Sequence, residues 1–212
     1  MEIIQVKNLK DCIDHTYELS KDILNNNLDA NISVTGGNFG VSFLELLSVK
    51  INNMSNKEIY ISDERITENK NEKNYNLLIP SLEKLKNNIY SFEGSEIEDF
   101  DLQNKEKFNK VFDLSFLSLG EDGHLAGHFE NSLDLNEMIC YTLNAPKNPP
   151  KRISYKVSWL LKSKLTIISA IGDHKREALI NLLKGKGIHS KAINSSQEKI
   201  LLLTDQNIDF YS

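Results

Sequence analysis

Apolar positions recur along this chain with two different periods. Between residues 8 and 27, Leu9, Cys12, Ile13, Tyr17, Ile23 and Leu24 fall at helical spacing. That predicts an amphipathic helix with Asn8 placed to cap it. Residues 32–35 form a short apolar run, which predicts a buried strand. The run ends in Gly36-Gly37-Asn38-Phe39-Gly40, and a second helix follows with Phe43, Leu44, Leu46 and Leu47 on its apolar side. Further strands are predicted at 58–62, 88–92, 111–119, 138–143, 165–171 and 199–203. Further helices are predicted at 74–86 (interrupted near Pro80), 152–162 and 173–184. Strands alternate with helices, and several strands are apolar throughout. This is the pattern of an α/β fold whose mostly parallel sheet is covered by helices on both faces.

Composition narrows the class. The 212 residues suit a single domain spanning 1–212 and a full core without staples. A hydrophobic fraction of 40% beside 26% charged residues excludes wholesale disorder. The longest apolar runs, such as Leu201-Leu202-Leu203, are far too short to cross a bilayer, so no membrane association is expected. Met1-Glu2-Ile3-Ile4 lacks a basic leader and a cleavage site, which points to the cytoplasm. The net charge of -5 gives no basic footprint for nucleic acid. Cys12 and Cys140 sit in apolar patterns and read as buried reduced thiols.

Chemistry-bearing residues gather where predicted strands end: Gly36-Gly37, Asp63-Glu64-Arg65, Gly120-Glu121-Asp122-Gly123-His124 and Gly172-Asp173-His174-Lys175. In an open parallel sheet these ends border one crevice. Gly36 and Gly37 serve either a tight turn or an anion seated on a helix start. They lack the Lys-Ser/Thr of a nucleotide-binding loop and the spacing of a dinucleotide fingerprint. Arg65 either forks onto a phosphate or pairs with Asp63 or Glu64. His124, beside two carboxylates and two glycines, fits a general base oriented by an acid. His124 and His128 stand four apart, but no glutamate lies between them and no third ligand is evident, so no metal is expected. His15, His174 and His189 read as surface residues.

These motifs resemble those of the glucosamine-6-phosphate isomerase/6-phosphogluconolactonase family. Thr35-Gly36-Gly37-Asn38-Phe39-Gly40 resembles the Ser-Gly-Gly-Ser-Thr-Pro turn of its lactonases. Asp63-Glu64-Arg65 matches their Asp-Glu-Arg, and Lys73-Asn74-Tyr75 a later Ser-Asn-Tyr. The run from Gly120 to Phe129 resembles Gly-x-Asp-Gly-His-Thr-Ala-Ser-Leu-Phe. Pro146-Lys147-Asn148-Pro149-Pro150-Lys151-Arg152-Ile153 resembles Pro-Lys-x-Pro-Pro-x-Arg-Ile, and Gly172 to Lys175 a late Gly-x-x-Lys. The matches keep family order from about residue 33 to 183. Departures are the absent Thr-Pro of the first turn, Thr67-Glu68 for Val-Pro, and Gly127-His128 for Ser-Leu.

The resemblance implies a three-layer Rossmann-like sandwich that hydrolyses a phosphosugar lactone, 6-phosphoglucono-1,5-lactone, without metal or cofactor. By the same resemblance His124 activates water and Asp122 orients it. Arg65, Arg152 and Lys175 hold the phosphate with Gly36 and Gly37, and Asp63 and Gly123 complete the pocket. The deaminases of the family instead have Asp-Glu-Tyr at 63–65 and a glutamate at the position of Phe129. A non-catalytic sugar-phosphate sensor of related fold would be expected to carry a DNA-binding segment before the first strand.

Overall fold

The computed structural model describes residues 1–51, 56–82, 89–92 and 108–208. Its centre is a seven-stranded sheet in the order β1-β11-β10-β6-β2-β3-β5. The strands are β1 (Glu2–Gln5), β2 (Asn31–Val34), β3 (Glu58–Ile61), β5 (Ile89–Tyr90), β6 (Leu114–Ser118), β10 (Leu165–Ala170) and β11 (Lys199–Thr204). Every neighbouring pair is parallel. The inner strands are buried on both faces, which explains why they read as largely apolar runs. Along β10, Leu165 and Ile167 face one core, while Ile168 and Ala170 face the other.

One core is closed by α1 (Leu9–Asn26) and α2 (Gly37–Lys50) through Cys12, Ile13, Leu24, Phe39, Phe43, Leu44 and Leu47. The Asn8 side chain accepts from the Asp11 N–H at 3.0 Å, as the sequence predicts for the α1 cap. The opposite core is closed by α4 (Val157–Leu160), α5 (Arg176–Leu183) and α6 (Ser190–Ser195), together with a second sheet. Both cysteines are free and buried, and burial pushes each thiol up to about 12. Among the described residues no helix is long and apolar enough to cross a membrane.

The second sheet is the main departure from expectation. It is antiparallel, in the order β4-β9-β8-β7, built from β4 (Asp63–Arg65), β7 (Leu133–Asp134), β8 (Ile139–Thr142) and β9 (Arg152–Tyr155). The predicted helix at 152–162 is therefore a strand followed by the single turn of α4. Ile153 and Tyr155 enter the core, while Ser154 bonds the Gly127 backbone and Arg152 lines a cavity. That is a period of two. The helical spacing of Ile153, Val157 and Leu160 is real, but pairing with β4 and β8 overrides it. The helix predicted at 74–86 is α3 (Asn74–Leu78) running into a 3-10 turn at Ile79–Leu82; its remainder lies outside the described residues. β1 and α6 are additional elements that the apolar pattern did not reveal.

Candidate active site

The C-terminal ends of β2, β6 and β10 and the face of the small sheet enclose a cavity of about 230 Å³. Gly36, Gly37, Asp63, Arg65, His124, Arg152 and Lys175 line it, so seven predicted site residues from separate segments meet at one place. Asp122 and Gly123 stand outside its lining, in the turn that carries His124.

That turn leaves β6 through Leu119 and folds back on itself. The Gly120 N–H donates to the His124 carbonyl at 2.8 Å, and the Gly123 N–H donates to the Gly120 carbonyl at 3.1 Å. The imidazole lies across Gly120. A Cβ there would stand 2.2 Å from His124 Nδ1, so only glycine leaves room for the ring. His124 Nδ1 pairs with Asp122 Oδ1, and the ring packs on Phe129 with centroids 4.4 Å apart. With Asp122 accepting from the Nδ1 proton, Nε2 carries the free lone pair. Burial alone would raise the Asp122 carboxyl, but the His124 hydrogen bond and charge outweigh it and hold it below the ordinary range.

The cationic side of the cavity hangs mainly from the small sheet. Register places Arg65 of β4 opposite Arg152 of β9, and Asp63 opposite Ser154. Arg65 Nη1 donates to the Glu72 carbonyl at 2.8 Å and Arg152 Nη2 to the Asn148 carbonyl at 3.3 Å. The Nε atoms of both arginines are buried without a partner among the described residues. Burial, joined by repulsion from Arg65, lowers the Arg152 guanidinium, while Asp63 acts the other way. Burial raises the Asp63 carboxyl, opposed by Arg152, Arg65 and His124. Lys175 Nζ donates to Ser118 Oγ at 2.8 Å, and burial lowers its ammonium. Gly36 and Gly37 stand at the start of α2, where no side chain caps the helix and the first N–H groups have no partner within it.

Asn74 is a wall residue that the motif reading left without a role. It is buried, and its Nδ2 donates to the Asp63 carbonyl at 2.9 Å and to Asp63 Oδ2 at 3.0 Å. A Cβ on Gly36 would lie 2.3 Å from Asn74 Oδ1, so the glycine turn admits the amide. Glu64 faces away from the cavity chemistry and caps α3, accepting from the N–H groups of Asn74 at 2.6 Å and Tyr75 at 2.9 Å. The two sheets meet where the Gly127 N–H donates to Ser154 Oγ at 3.0 Å.

The other histidines divide. His15 and His174 are exposed as predicted, and His174 lies on the cavity wall. His189 is buried, contrary to the surface reading, because its Nε2 donates to the His128 carbonyl at 2.9 Å. His128 turns toward α4, where its Nδ1 accepts from the Val157 N–H at 3.1 Å.

Comparison with known proteins gives these residues a family. The sequence model described as glucosamine-6-phosphate isomerases/6-phosphogluconolactonase matches residues 6–202. A 6-phosphogluconolactonase of Borreliella burgdorferi is 30% identical over 202 residues, covering 85% of this chain and 84% of the relative. One from Helicobacter pylori is 32% identical over 210 residues, covering 91% of each. The crystal structure of a 6-phosphogluconolactonase from Shewanella baltica superposes with a TM-score of 0.80 at 18% identity, over 96% of this chain and 97% of that one. The fold, the order of the motifs and the sequence match over residues 6–202 agree: the chain belongs to the glucosamine-6-phosphate isomerase/6-phosphogluconolactonase family.

Proposed function

We propose that this protein hydrolyses 6-phospho-D-glucono-1,5-lactone to 6-phospho-D-gluconate, the second step of the oxidative pentose phosphate pathway. The observation that carries the reading is the shared cavity: the Asp122-backed imidazole of His124 opens onto the same space as Arg65, Arg152 and Lys175. The relatives named 6-phosphogluconolactonase support it.

In this reading the cations hold the phosphate and leave the lactone carbonyl near His124. His124 Nε2 takes a proton from water as the water oxygen bonds to C1. The tetrahedral intermediate collapses by breaking the bond from C1 to the ring oxygen. The imidazolium returns its proton to that oxygen, and the new carboxylic acid ionises. Asp122 holds the ring in the tautomer that leaves Nε2 basic and stabilises the imidazolium. Phe129, where the family's deaminases carry a glutamate, offers an apolar face against the ring and no second acid.

The test is a lactonase assay on freshly prepared substrate, with spontaneous hydrolysis subtracted, run beside an assay for ammonia release from glucosamine 6-phosphate. Lactone opening above background without ammonia release is expected. Ammonia release without lactone opening would replace this reading with the deaminase one.

A further inference from the structure

One charge pair on the cavity wall has no part in the reaction just described. Glu121 lies in the turn after β6, and Lys147 lies in the proline-rich loop before β9. Both line the cavity. Lys147 Nζ meets Glu121 Oε1 at 2.6 Å, so the ion pair ties one loop to the other. The Lys147 loop is itself closed, with the Ala145 N–H donating to the Pro150 carbonyl at 2.9 Å.

The pair is open to solvent, with side-chain exposures of 41% for Lys147 and 48% for Glu121. An ion pair so exposed contributes little to stability. Lys147 can therefore leave Glu121 at small cost. Its ammonium also repels Lys175 on the same wall, which adds to the effect of burial in lowering the Lys175 ammonium. A dianion between the two lysines turns that repulsion into attraction and offers Lys147 a doubly charged partner.

We propose that the Glu121–Lys147 ion pair is an exchangeable latch. An entering phosphate group draws Lys147 away from Glu121, so Lys147 sets affinity for the phosphorylated ligand and Glu121 holds it in reserve. The latch rests on the phosphosugar reading above. It requires opposite signs from its two members: losing the lysine weakens anion binding, and neutralising the glutamate strengthens it. A merely structural clasp would give the same sign for both.

The experiment is calorimetric titration of inorganic phosphate into the full chain at neutral pH and low salt. Lys147→Gln is expected to raise Kd about tenfold to thirtyfold, the lower part of the range for hydrogen bonds to charged groups. Lys147→Arg, which keeps the charge, is expected to restore most of the affinity. Glu121→Gln is expected to lower Kd about twofold to fivefold. An unchanged Kd in Lys147→Gln overturns the latch, as does absence of phosphate binding by the unaltered chain. Unchanged or weaker binding in Glu121→Gln overturns it equally. The titration involves no turnover, so its failure is separable from failure of the lactonase assay.

Discussion

Arg65 and Arg152 stand directly opposite one another across the antiparallel pair of β4 and β9. Like charges in facing positions destabilise a sheet. Here both are partly or fully buried, and each keeps a buried Nε without a partner among the described residues. The arrangement is costly in the free protein and favourable around an anion. Arg65→Ala is accordingly expected to weaken binding of the phosphorylated substrate by about 1.5–3 kcal/mol. Kinetics on phosphorylated and unphosphorylated lactones check this. A wild-type ratio between the two in the mutant would remove Arg65 from phosphate recognition.

His124→Ala is expected to lower turnover by about a hundredfold to ten-thousandfold, the range for loss of a positioned base. The pairing of Nδ1 with Asp122 makes a second expectation. Asp122→Asn should lower kcat by less than the histidine change while leaving KM nearly unaltered. Steady-state kinetics on both variants decide, and near-normal turnover in His124→Ala would eliminate the proposed base.

Gly120 supplies a subtler test of the same geometry. An alanine methyl at that position would overlap the His124 ring and sit 2.7 Å from Asp122 Oδ1. Gly120→Ala should therefore shift the imidazole and cost about tenfold or more in kcat, since small misplacements are expensive. A mutant with full activity would mean that the ring works from another position.

His189 sets an acid limit on stability. Burial, with His128 adding to it, lowers its imidazole from 6.5 to about 4. The fold therefore holds the neutral form, while the unfolded chain takes up a proton first as pH falls. Its contribution is complete above about pH 6.5 and is lost progressively down to about pH 4. The loss amounts to roughly 3 kcal/mol. His128, lowered in the same direction by burial, acts with the same sign. Denaturant unfolding at pH 7.5 and 4.5 should show the decline, and His189→Gln should flatten it. An equal decline in the mutant would assign the acid sensitivity to other groups.

Much of the parallel sheet is legible because each inner strand is one buried, largely apolar run bounded by its own turn signals. α1 carried its periodicity and its cap within a single segment. Of the small sheet, β8 is legible as the strand predicted at 138–143; β4, β7 and β9 are not, because they are two to four residues long and their partners are remote, as with Asp63 and Ser154. The motif around Arg152 marks it as a site residue, while the apolar spacing of the same segment predicts a helix; the motif is local and the pairing is not. The same divide governs the site. Glycine turns and the run around His124 announce themselves along the chain. Asn74 does not, because its work is to bond Asp63 eleven positions away through a buried amide. His189 read as a surface residue because the carbonyl that buries it belongs to His128, 61 positions earlier.

The hydrogen bond from Gly127 to Ser154 joins the layer bearing the proposed base to the layer bearing the two guanidiniums. In the proposed lactonase reading, the offset of these two layers sets the span between base and cations, and with it the length of phosphosugar that both can reach at once.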